Sequence, residues 1–539
     1  MLLALGLRLP SLGQSIWFDE ACMSHQRVGS FEQLIATLYV DIHPPLFLGF
    51  MHFWGMLVGD GEIVMRLPAL ACGLASIPLI YLIALRLLNG PIAMGAALAA
   101  CLSPVHLWYS VEARLYAPNM FLALLAIWLF HRILDSAKGR NTLWLVLVML
   151  VMVGVHYYLA VFLVAFFLIS LFASRLGSTR KTGLTMMIWS GSICVAILAF
   201  VAVKMSMAEF ETSQGYMVEL SPVEAYRLFF QWCLTGNASA GGLGIDGGPS
   251  AATGSLGWLF WTALQAVGVV LFALGVKRIA SMAKQRPEAA CVFVYLACMP
   301  LFLALLPLIG FTGTYIQRSA LPALPFFFMV LAAGWDSIGA GQARRVLAVS
   351  CVALLGINLA VFFARPEAWT VYKPHQDWRS AAAYLGAEID AGTAAPSMFT
   401  GMPNQRSLSY YDVRIQTHAN LLPSSGKLSG AKKSFERRLG ANLGGMVGDY
   451  AEHVTDTVEA TKAELMAGSK VLLYPIRKGT LASLDSTALG ASDSFYVLFN
   501  HWHPPEDPRS LRLVSAPGVT LIEQRDFRGI TIFKLRLVP

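Results

Sequence analysis

Four short polar clusters interrupt an otherwise apolar first half: Trp17-Phe18-Asp19-Glu20, Asp41-Ile42-His43-Pro44-Pro45-Leu46, Glu112-Ala113-Arg114-Leu115-Tyr116 and Tyr315-Ile316-Gln317-Arg318. Ionisable groups at the edge of an apolar stretch cost free energy unless they are paired or used. Adjacent carboxylates such as Asp19 and Glu20 can take a proton, hold a cation or cap a helix N-terminus. Arginines and histidines such as Arg114, Arg318 and His43 can meet an anion. Each cluster has a structural alternative: Asp19-Glu20 as a helix cap, Glu112 with Arg114 as an ion pair, His43 and His156 as ordinary boundary histidines. His501-Trp502-His503 has no further ligands near it in sequence and reads as loop rather than metal site. The glycine-rich stretch 241–254 lacks the Lys-Ser/Thr of a phosphate loop and follows no strand.

The chain that carries these clusters is too apolar for a soluble protein. Its 539 residues are 56% hydrophobic and only 13% charged, which also excludes a disordered chain, a collagen-like fibre and a disulfide-stapled module. None of the eight cysteines lies beyond position 351, and their spacing gives neither a disulfide framework nor a CxxC metal site. Residues 1–364 contain 35 charged side chains and residues 365–539 contain 37, so the charged fraction doubles after Ala364. This step predicts a membrane domain over 1–364 and a soluble domain over 365–539. The net charge of +8 is spread over both, without the basic stripe that nucleic-acid binding needs.

Apolar runs long enough to span, about 20 residues, lie near 65–88, 91–110, 116–134, 183–204, 256–276, 289–309, 320–339 and 346–363. The run 143–174 suits two short spans that meet at His156. Residues 1–13 make a short first helix, without the basic start or cleavage signal of a secretory leader; a start codon misplaced downstream would trim it. If 44–58 lies along the surface, 13 basic residues gather in short loops on one side, from Arg86 to Arg345. The longer loops opposite hold only Arg27, Arg114, Arg227 and Arg318. The positive-inside rule makes the first set cytoplasmic, and 44–58 becomes an amphipathic interfacial helix opened by its proline pair. About eleven transmembrane helices follow, with all four clusters facing outward. The soluble part reads as α/β: a helix over 376–390 and strands over 470–475, 495–500 and 529–538.

In order, WFDEA at 17–21, DIHPPL at 41–46, RLPAL at 66–70, SVEARLYA at 110–117, QRSALPALP at 317–325 and DWRSAAAYL at 377–385 resemble the membrane glycosyltransferases of the GT-C superfamily. The nearest branch is that of bacterial protein O-mannosyltransferases and aminoarabinose transferases. The resemblance covers the first half best, and the short first helix departs from it. It implies a GT-C-like catalytic domain in the bacterial cytoplasmic membrane with an extracytoplasmic C-terminal domain. It implies inverting transfer of a hexose or pentose from a polyprenyl-phosphate donor to an acceptor hydroxyl of a protein, lipid or glycan. Asp19 would be the general base, and Glu20 its neighbour, orienting the acceptor or holding a divalent cation such as magnesium or manganese. Arg114 and His43 would meet the leaving phosphate, with Arg318, Tyr116, Tyr315, His156 and Glu112 around them; Arg66 would pair with a lipid phosphate or with Glu62. The competing readings are a flippase for a lipid-linked sugar and a polymerase or ligase fed by polyprenyl diphosphate.

Overall fold

The computed structural model describes residues 1–27, 34, 43–135, 139–174, 180–207, 221–235, 254–306 and 317–364, and in the polar part 376–391, 397–400, 404–412, 414–415, 472–475, 494–500, 519–528 and 530–537. The membrane part runs α1 (Leu2–Gly6), α2 (Leu9–Leu12), α3 (Phe18–Arg27), α4 (Pro45–Val58), α5 (Glu62–Leu87), α6 (Gly90–Leu102), α7 (Pro104–Tyr109), α8 (Tyr116–Asp135), α9 (Gly139–Val155), α10 (Ala160–Ala173), α11 (Arg180–Met207), α12 (Pro222–Thr235), α13 (Gly254–Ala283), α14 (Cys291–Leu305), α15 (Leu324–Asp336) and α16 (Gln342–Ala364).

Among the described residues, six helices are long and apolar enough to cross a membrane: 62–87, 116–135, 259–283, 287–305, 318–336 and 344–364. The other expected spans are built of shorter pieces, and local chemistry explains the breaks. The 91–110 run divides where Ser103 caps α7, its Oγ accepting from the His106 amide ahead of Pro104 at the first helical position. The 143–174 run divides at His156, whose Nδ1 accepts from the Tyr158 amide and opens a short 3-10 turn. The first run is likewise broken, and Arg8 anchors it: fully buried, it donates to the Ala4 carbonyl and, at 2.7 Å, to His106 Nδ1.

Helix α4 has 14 residues, about 21 Å at 1.5 Å per residue, too short for a hydrocarbon core of about 30 Å. It buries Phe47, Leu48, Met51 and His52 and exposes Leu46, Phe50, Phe53, Met56, Leu57 and Val58. Helices α13 and α15 pack backbone to backbone. A Cβ on Gly275 would collide with the Val330 carbonyl, and one on Gly334 with that of Leu271, the close approach that small residues permit between membrane helices. Cys233 is a free, buried thiol.

The polar part begins with α17 (Trp378–Asp390), whose first turn is capped by Asp377 through the Ser380 amide. It continues through β1 (Ser397–Thr400), α18 (Asn404–Tyr411), β2 (Leu472–Pro475), β3 (Ser494–Asn500), β4 (Val519–Phe527) and β5 (Ile530–Leu537). The sheet order is β2-β1-β3-β5-β4, with β1 parallel to both neighbours and β5 antiparallel to β3 and β4. Trp378, Ala381, Ala382, Leu385 and Ile389 of α17 form a core with Tyr496, Leu498, Ile530 and Ile532. Strands β1 and β4 and helix α18 were not foreseen from sequence. The stretch 241–253 and the 501–503 histidine pair lie outside the described residues.

Candidate active site

The site is assembled around the first turn of α3. Trp17 precedes the helix, and Glu20, three residues on, reaches back to accept from the Trp17 amide at 3.3 Å, half of a capping box. Glu20 is completely buried and holds Arg66 of α5 in a two-pronged ion pair, Nε to Oε1 at 2.8 Å and Nη2 to Oε2 at 2.5 Å. The Ala113 amide donates to Oε1 at 2.8 Å, so the same carboxylate also fastens the 110–115 loop. The remaining Arg66 donors go to the carbonyls of Leu12, Gln14 and Ser15.

Arg66 makes its direct contacts with Glu20 and main-chain carbonyls, while Glu62 acts on it only through its charge. Both Glu20 oxygens already accept from Arg66 and from backbone N–H groups. Among the described residues no group of three His, Cys, Asp or Glu side chains could hold a metal ion.

Asp19 differs from its neighbour. Its side chain is 16% exposed, and Oδ2 accepts from Arg318 Nη1 at 2.8 Å. Arg318 enters from the turn before α15 and lies 5.2 Å over the Tyr116 ring, a cation–π contact that holds its plane. Arg114 Nη1 approaches the Asp19 carbonyl at 3.5 Å. Tyr116 is buried and packs edge-on against Tyr109, 5.3 Å between centroids. Tyr109, absent from the sequence-based site, leans in turn on Trp232 of α12; only its place in the helix before the SVEARLYA motif hinted at it.

Glu112, expected near the donor phosphate with an ion pair to Arg114 as the structural alternative, is 2% exposed, and neither of its oxygens accepts a hydrogen bond from the described residues. Burial, with Asp19 and Glu20 adding to it and Arg318 opposing, pushes its carboxyl up to about 8, so it carries a proton at pH 7. His43 and His156 come together although 113 positions separate them, their rings edge to face at 5.9 Å. Burial, then the neighbouring charges of His43 and Arg114, push His156 down to about 3, so it is neutral at physiological pH. Tyr315 lies outside the described residues. The other nine expected site residues fall into two adjoining groups, one around Asp19 and Glu20 and one around His43 and His156, with Arg114 close to both.

Residues 42–205 match the family of dolichyl-phosphate-mannose-protein mannosyltransferases. No curated protein sequence matches the chain. Among solved structures, ArnT from Cupriavidus metallidurans in the apo state covers 99% of this chain and 96% of its own, with 12% identity and a TM-score of 0.51. The same protein bound to undecaprenyl phosphate matches with the same identity, coverage and TM-score. The Archaeoglobus fulgidus oligosaccharyltransferase tethered to an acceptor peptide is more distant, at 12% identity, a TM-score of 0.46 and coverage of 85% of this chain and 67% of that one. The chain thus resembles the mannosyltransferase family over 42–205 and shares the polytopic fold of ArnT along nearly its whole length.

Proposed function

We propose that the protein transfers one sugar from a polyprenyl monophosphate to an acceptor hydroxyl, with inversion at the anomeric carbon and Asp19 as general base. The observation that carries this reading is the division of labour among three carboxylates. Glu20 is consumed by Arg66 and two amides, and Glu112 holds its proton. Asp19 is partly exposed and leaves Oδ1 without a hydrogen bond among the described residues. A hydroxyl attacks poorly unless such a carboxylate takes its proton, an effect worth roughly 10²–10⁴-fold. Arg318 holds the other oxygen and fixes the carboxylate in place.

The leaving phosphate gains charge as the glycosidic bond breaks, which favours fixed cationic donors beside it. Arg114 and His43 are assigned to it, with Arg318 and Tyr116 on the acceptor side and neutral His156 able to offer an N–H but no charge. The protonated Glu112 presents a donor rather than a second base. A solved structure of ArnT is bound to undecaprenyl phosphate, which supports a polyprenyl-phosphate donor here. We place the site and residues 365–539 outside the cytoplasmic membrane of a bacterium, because the 13 basic loop residues mark the opposite side.

Mass spectrometry of the lipid retained by the purified Asp19→Asn variant tests the donor class. A polyprenyl monophosphate bearing a single sugar is the expected species. A polyprenyl diphosphate bearing a longer glycan would move the protein to the polymerases and ligases.

A further inference from the structure

The chain leading into α3 buries Leu12 and Ile16, and its carbonyls over 12–15 and the Ile16 amide are all taken by side chains from elsewhere. Arg66 accounts for the carbonyls of Leu12, Gln14 and Ser15 from the membrane side. The other contacts come from the polar C-terminal part. Arg379 of α17 donates to the Gly13 carbonyl at 3.1 Å, and the Tyr411 hydroxyl at the end of α18 accepts from the Ile16 amide at 2.8 Å and meets Ser15 Oγ at 3.0 Å.

Glu62 joins these two residues. Its Oε1 accepts from the Tyr411 hydroxyl and its Oε2 from Arg379, while its own place in the first turn of α5 suits a carboxylate. Arg379 also lies over the Tyr411 ring, 6.0 Å from its centroid. Beside them Tyr410 donates to the Asp60 carbonyl at 2.7 Å. Arg66 sits one turn beyond Glu62 on the same helix, so α5 offers one anchor to the C-terminal part and another to Glu20. The segment between carries directly into Asp19, whose carbonyl lies against Arg114.

We propose that Tyr411 and Arg379 are positioning residues that couple the C-terminal part to the donor site, holding 13–16 so that the first turn of α3 keeps Asp19 and Arg114 in register. The inference rests on the assignment of Arg114 to the donor phosphate. A C-terminal part that merely recruited the acceptor would have no need of three hydrogen bonds to the backbone and side chains of 13–16, nor of a carboxylate on α5 shared by two of its residues. Linkage makes the coupling reciprocal: a lipid phosphate that favours the registered turn also favours docking of α17 and α18.

The test measures binding of undecaprenyl phosphate to the full-length detergent-solubilised protein, alongside its thermal unfolding. Tyr411→Phe deletes the shared hydroxyl, and Arg379→Gln deletes the charge at a side chain that is 53% exposed. Each should weaken binding about tenfold, at temperatures well below its own unfolding transition, and Arg379→Lys, which keeps the pair with Glu62, should recover most of the loss. Unchanged affinity in both Tyr411→Phe and Arg379→Gln overturns the inference, whether or not thermal stability falls, since that is what a purely structural contact predicts. Arg114→Ala separates the two levels. If it weakens binding while Tyr411→Phe does not, the coupling fails alone; if it leaves binding intact, the assignment of the phosphate to Arg114 fails and the coupling with it.

Discussion

Glu112→Gln isolates the energetics of a buried carboxyl at the edge of the site. Each tenfold change in proton affinity is worth about 1.4 kcal/mol, so a carboxyl raised from 4.5 to about 8 costs the fold about 5 kcal/mol once fully ionised. The folded state binds this proton more tightly than the unfolded state does. Stability from this group is therefore fully present below about pH 4.5, falls as pH rises, and levels off above about 8. Between pH 5.5 and 7.5 the loss comes to about 2.5 kcal/mol. Glutamine copies the shape of the protonated acid but has nothing to ionise, so every other titrating group cancels in the comparison. Chemical unfolding of both proteins in detergent micelles across pH 5–9 should show Glu112→Gln gaining on the wild type as pH rises. Parallel pH profiles would refute the buried, protonated Glu112 and with it the argument that leaves Asp19 as the sole base.

Three further outcomes follow from the packing and the ion pairs. Arg66→Met strands the Glu20 charge in a fully buried position and should cost about 3–5 kcal/mol, whereas pairing it with Glu20→Gln should restore part of the loss in the same unfolding assay. Gly334→Leu should lower the unfolding temperature far more than Gly356→Leu, because a Cβ at 334 collides with the Leu271 carbonyl and one at 356 meets open space; equal effects would contradict the close crossing of α13 and α15. Arg114→Ala should weaken undecaprenyl phosphate binding without a comparable loss of stability, read by titration and thermal unfolding side by side.

Much of the architecture could be read from sequence because a membrane imposes one simple demand, a long enough apolar run, and the runs end where charges or prolines stand. Helix α8 (Tyr116–Asp135) and helix α5 (Glu62–Leu87) fall almost where their runs predict. The breaks at Ser103-Pro104 and His156 were less visible, since a capping side chain shortens a helix without changing its composition. Within the proposed site, the motifs name residues that the fold brings close together but not their partners. Asp19 and Glu20 are adjacent in sequence and look equivalent, yet the 100° step between successive helical residues sends one to Arg318 and the other to Arg66. Glu112 and Arg114 look like an ion pair, but burial leaves the first protonated. Tyr411 and Arg379 lie more than 300 positions from the segment they hold, and nothing local marks them.

Sugar transfer by Asp19→Asn tests the central claim most directly. The variant is reconstituted in proteoliposomes with the lipid-linked sugar retained by the protein as donor, and its turnover is compared with that of wild type alongside binding of undecaprenyl phosphate. With Asp19 as general base, transfer falls by roughly 10²–10⁴-fold while the fold and lipid binding persist. Transfer at the wild-type rate would contradict it.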